Sequence, residues 1–145
     1  MVAEGASAKA GPPGSISACS SGVGRVAPGD ELLGLQRAFL YAGAPAVLCT
    51  LWEAADLVAP LLLDQFYAGL LRGEPAAAAL RDAQLALRAT TGRELLATLA
   101  RWRAEDPAGA PEIASLPDMP DEWLDERLYD DPLHWAVFTL VGRGE

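Results

Sequence analysis

The sequence predicts an α/β fold with parallel crossovers, and three observations carry that expectation. Residues Ala46 to Trp52 (Ala-Val-Leu-Cys-Thr-Leu-Trp) run almost wholly apolar, as a strand buried on both faces of a parallel sheet does. His134 to Gly142 is rich in β-branched and aromatic residues, which marks a closing strand. Between and before them lie helix-length patterns, so that strands alternate with helices as right-handed crossovers require. About three strands are expected, those holding Cys19, Cys49 and Phe138, as parallel neighbours with helices on both faces.

The first fourteen residues are small, polar or Pro/Gly without a period, and read as a flexible tail; residues 15–145 read as the domain. Ser15 to Cys19 is a short strand-like stretch, followed by a loop over Ser20 to Gly24. Asp30 suits the N-cap of a helix through Leu40, whose Leu32, Leu35 and Phe39 make one apolar face, and Gly43 sits where a terminating glycine belongs. After the apolar strand a helix is expected from about Asp56 to Arg72, with Pro60 tolerable near its first turn and Gly73 closing it. Glu74-Pro75 opens another helix through the alanine run to about Ala89, and Glu94 to Arg103 forms a third. Four prolines between Asp106 and Pro120 predict an irregular connection, and a short helix follows at Asp121 to Leu128.

Composition narrows the function classes. Hydrophobic residues at 51% against 21% charged ones describe a globular chain, and no apolar run approaches a membrane span. The start, MVAEGASAKAGPPG, has no apolar core of a secretory signal, which points to the cytoplasm, where two cysteines stay reduced. A net charge of −9 repels phosphate backbones, so nucleic acid is not an expected partner, and neither is a membrane. With one histidine and no cysteine pair at ligand spacing, no metal and no cofactor is expected. Gly22 and Gly24 lack the third glycine of a dinucleotide loop.

Five segments, in order, resemble one family. Ser17-Ala18-Cys19-Ser20-Ser21-Gly22 is similar to the S-A-C-E-T-G that ends the nucleophile strand of CHAT domains, which are caspase-like cysteine peptidase domains. Leu33 to Ala44 resembles that family's next helix, Thr50-Leu51-Trp52 the end of its next strand, Phe66 to Leu71 a helix end, and Asp131 to Phe138 its H-P-Y-Y-W-A-x-F closing strand. The match runs from about Ser15 to Gly142. It implies the C-terminal half of a caspase-like, mostly parallel sheet flanked by helices, with Cys19 at the carboxyl end of a strand as nucleophile.

In such a site a histidine draws off the thiol proton and later protonates the leaving amine, while the cysteine's own N–H helps hold the oxyanion. The family's histidine lies upstream of the cysteine, beside a glycine that supplies a second oxyanion donor. Here no histidine precedes Cys19; the one histidine, His134, falls in the closing strand. Ser20-Ser21 stands in place of Glu-Thr, and Gly11-Pro12-Pro13-Gly14 in place of apolar strand residues. The expectation is a cysteine endopeptidase part that is inactive alone, awaiting an upstream chain that completes the domain. The alternative is a non-catalytic, CHAT-like interaction or scaffold fragment. A protein or peptide substrate suits the first reading. Repeat-containing proteins suit both, because CHAT domains often sit beside tetratricopeptide repeats or other signalling modules.

Other residues read structurally. Cys49 is expected in the core, and His134 beside Trp135. Asp56 is expected as a helix N-cap; the resemblance also sets it beside the substrate groove, where its charge would favour a basic residue before the scissile bond. The acidic stretch Asp118 to Asp131 reads most simply as a solvated face, with the docking of a basic partner as the alternative.

Overall fold

The computed structural model describes residues 17–18, 30–107 and 119–143, with side chains from residue 36 onward. Its elements run β1 (Ser17–Ala18), α1 (Asp30–Tyr41), β2 (Ala46–Thr50), α2 (Val58–Leu71), α3 (Ala76–Ala89), α4 (Gly92–Glu105), a 3-10 turn (Asp121–Trp123), α5 (Pro132–Trp135) and β3 (Phe138–Gly142). The sheet order is β1-β2-β3.

All five residues of β2 are buried, and successive side chains point to opposite faces. Leu48 enters a core built with Val58, Leu61, Leu62 and Phe66 of α2 and Ala79, Leu80, Ala83 and Leu87 of α3. Its neighbour Cys49 meets Gln36 of α1 instead. Helices therefore cover both faces of β2, as its apolar run requires. Gly43, at φ 96°, turns the chain from α1 into β2, while the Gly43 and Ala44 N–H groups donate to Leu40 and Phe39 carbonyls.

The strand directions differ from expectation. β1 and β2 are parallel, but β3 is antiparallel to β2, with Thr50 opposite Phe138 and Ala46 opposite Gly142. The reason is the path of the helices between them. A single crossover helix returns the chain to the start of the sheet, but α2 and α3 form a hairpin around Gly73 (φ 84°) that brings it back again, and the excursion through α4 rejoins the end of α3, where the Leu128 N–H donates to the Thr90 carbonyl. The side chain of Gln84, on α3, then donates to the Phe138 carbonyl at 3.0 Å, which ties α3 to the beginning of β3.

Three more elements depart from the sequence reading. The helix expected over Asp121 to Leu128 is only a 3-10 turn, because the following carbonyls serve α4: Arg93 N–H donates to Leu124 and Gly92 N–H to Glu126. Thr91 caps α4, accepting from Glu94 N–H while Glu94 accepts from Thr91 N–H, so this helix starts earlier than Glu94. The closing strand begins at Phe138, not His134. Asp131 accepts from Leu133 N–H at 2.9 Å with Pro132 at the first position, which makes the preceding residues one turn of helix.

Gly92 is where α4 presses on the 119–124 segment. A β-carbon there would fall on the Met119 sulfur and the Trp123 carbonyl oxygen. Gly92→Ala is expected to lower stability by about 1–3 kcal/mol, the usual cost of overpacking, read as an earlier urea midpoint with unchanged slope. An unchanged midpoint would show that this contact yields freely.

Candidate functional site

Ser17 lies opposite Leu48 and Ala18 opposite Cys49, so β1 and β2 bring their carboxyl ends to one end of the sheet. Open α/β sheets bind ligands at that end. Cys19, the next residue in the chain, lies outside the described residues, as do Gly22 and Gly24. Because β3 is antiparallel, its start and the α5 turn reach the same end.

Two hydrogen bonds join the loop after β2 to the α5–β3 turn. The Leu51 N–H donates to the Val137 carbonyl at 2.8 Å, and the Trp52 indole Nε1–H donates to the Leu133 carbonyl, also at 2.8 Å. β2 stops at Thr50, so Leu51 and Trp52 are not strand residues as the apolar run suggested. Leu51 is 56% exposed, Trp52 38% and Leu133 65%, so the two segments that these bonds join carry three exposed large apolar side chains. Sequence reasoning missed this cluster. Its one signal was the polarity change at Trp52-Glu53, directly after a buried strand.

The residues singled out from sequence are placed as follows. Asp56 is exposed and does not cap α2; Leu57 occupies the cap position without a side-chain bond, and Val58 N–H donates to Ala55 instead. His134 is half-buried on α5, edge-on to the Tyr129 ring at a centroid distance of 5.5 Å and 83°. Its aromatic partner is thus Tyr129 rather than Trp135. Trp135 donates its indole N–H to the Asp130 carbonyl at 3.1 Å and lies under the Arg88 guanidinium. Cys49 is 2% exposed; Gln36 Nε2–H donates to its sulfur at 3.1 Å, and the thiol faces the Thr139 carbonyl at 3.7 Å. Burial pushes this thiol's pKa up, partly offset by the Gln36 bond.

A groove of about 440 Å³ between α2, α3 and α4 is lined by Leu61, Asp64, Leu87, Thr90, Glu94 and Thr98. Its carboxylates are in structural use, Asp64 with Arg101 at 2.8 Å and Glu94 in the α4 cap. Among the described residues no group of three or more His, Cys, Asp or Glu is placed to hold a metal ion, and no helix is long and apolar enough to cross a membrane.

The family model described as CHAT domain matches residues 15–143. Tetratricopeptide repeat protein 28 of Mus musculus is 36% identical over 127 residues, which cover 88% of this chain and 4% of that protein. Tetratricopeptide repeat protein 28 of Homo sapiens is 43% identical over 54 residues, covering 37% of this chain and 2% of that protein. The chain thus spans a small fraction of the length of the curated relatives it matches. No solved structure matches it.

Burial also raises the pKa of the Tyr129 hydroxyl. Both Cys49 and Tyr129 keep their protons to higher pH in the folded state than in the unfolded one. Their contribution is therefore complete below the ordinary values and is lost as pH climbs through the raised folded ones. Melting temperature is expected to hold between about pH 7 and 8 and to fall above about pH 9, where free thiols and phenols ionise. Cys49→Val removes the thiol's share and should flatten that fall. A melting temperature constant to pH 10.5 would contradict this.

Proposed function

The chain belongs to the CHAT domain family, and on that premise we propose that it carries the nucleophile-bearing part of a caspase-like cysteine endopeptidase. The observation that carries this reading is β1. Its last residue, Ala18, directly precedes Cys19 and pairs in parallel with the buried strand β2, an arrangement that directs the chain to the ligand-binding end of the sheet.

In the proposed reaction the Cys19 thiolate attacks a peptide carbonyl carbon, and the carbonyl electrons move to an oxyanion held in part by the Cys19 backbone N–H. The C–N bond breaks, the amine leaves with a proton from a histidine, and water hydrolyses the thioester to free acid and thiol. The base is the missing part. His134 is engaged with Tyr129 and does not match the family's dyad position, and no other histidine occurs in these 145 residues. A histidine and a second oxyanion donor from elsewhere, in the cytoplasm, would complete the site. Exposed Asp56, in the loop after β2, would favour a basic residue before the scissile bond.

A second reading, a non-catalytic interaction module, draws support from the relatives, whose names describe tetratricopeptide repeats rather than an activity. Repeat-containing proteins are the proposed partners in either case.

Purified alone, the chain should hydrolyse no peptide measurably, because an unassisted cysteine of pKa about 8.5 is largely protonated at neutral pH. Fluorogenic peptides with arginine, lysine or aspartate before the scissile bond provide the assay. Cleavage abolished by Cys19→Ala would overturn the claim of silence, and its further loss in His134→Gln would make His134 the base.

A further inference from the structure

We propose that Leu51, Trp52 and Leu133 form a preorganised shelf that binds a bulky apolar side chain of an extended peptide whose flanking residues are Lys or Arg. Two observations and one general rule support it. The Trp52 indole N–H is already satisfied by the Leu133 carbonyl at 2.8 Å, so the exposed part of the ring has no polar demand left to meet. The clamp and the Leu51 to Val137 bond hold the shelf rigid, so docking need not order it. Exposed aromatic anchors with fixed geometry are what peptide-binding hot spots use.

Charge suggests the flanks. Glu53, Asp56 and Asp131 are all exposed and lie within four residues of a shelf member in sequence; among the described residues none is in a salt bridge. On a chain of net charge −9, these carboxylates attract a basic segment and repel an acidic one. The shelf lies at the carboxyl end of β2, the sheet end proposed for peptide cleavage. It therefore shares the premise of peptide binding with that reading but needs no cleavage.

The test is fluorescence anisotropy of the full chain with a fluorescein-labelled peptide in which phenylalanine stands between arginines. Comparison peptides replace phenylalanine by alanine, or the arginines by glutamates. The parent peptide is expected to bind, with each altered peptide at least ten-fold weaker. Leu133→Ser should weaken the parent peptide by at least ten-fold at an unchanged melting temperature. Leu51→Ser serves as the second variant if the first shifts the melt. No binding, or binding indifferent to both variants, would overturn the proposal, as would a concentration-dependent dimer, lost in Leu133→Ser, that covers the shelf instead. Mass spectrometry of the peptide separates the two readings. A shelf-dependent complex with intact peptide, even with a histidine-bearing upstream segment added, keeps the shelf and removes the endopeptidase. Cleavage indifferent to Leu133 does the reverse.

Discussion

The burial of β2 on both faces is the constraint from which the rest of the structure follows. A strand with no wet face must have its backbone paired at both edges and its side chains covered on both sides. Parallel β1 and antiparallel β3 meet the first demand, and α1 on one face with the α2–α3 hairpin on the other meets the second. The α2–α3 contact depends in turn on small residues. A β-carbon on Gly69 would stand 2.9 Å from both the Ala79 β-carbon and a Glu74 carboxylate oxygen, so the two helices are nearly in backbone contact there.

That hairpin decides what reaches the functional end of the sheet. Because α3 returns the chain, the α5 turn, with Leu133 and His134, arrives beside the carboxyl ends of β1 and β2 and not at their far end. The exposed Trp52 clamp exists only because of this reversal. The molecular surface next to the proposed peptidase chemistry is thus a product of the path the helices take between β2 and β3.

Much of this was legible in the residues, and the failures have identifiable causes. The apolar run at Ala46 to Trp52 marked a strand covered on both faces, though it stops at Thr50, and Gly43 and Gly73 marked the turns that end α1 and α2. Strand direction was not legible, since hydrophobic periodicity is the same for parallel and antiparallel partners and only the helix hairpin sets the sign. His134 and Trp135 looked like strand by composition, yet Asp131-Pro132 supplies a local cap and first helical residue that outweigh it. Asp56 failed as a cap because α2 begins at Val58, which puts Leu57 in the cap position. At the site, the family was legible because five motifs fell in order; the shelf was not, because it joins residues 81 apart in sequence through a side chain to backbone bond.

On the proposed reading, Cys19 of this CHAT-family chain is presented but unassisted, because the histidine stands against Tyr129. Alkylation of the folded chain by iodoacetamide, followed residue by residue with mass spectrometry from pH 5 to 10, tests this most directly. Cys19 should react far faster than buried Cys49, with a rate that rises through about pH 8.5 as that of an unassisted thiol does. Protection of Cys19 equal to that of Cys49, or a Cys19 rate already at its plateau near pH 6, would contradict it. The first result would mean that the thiol is not presented, and the second that a base within this chain already activates it.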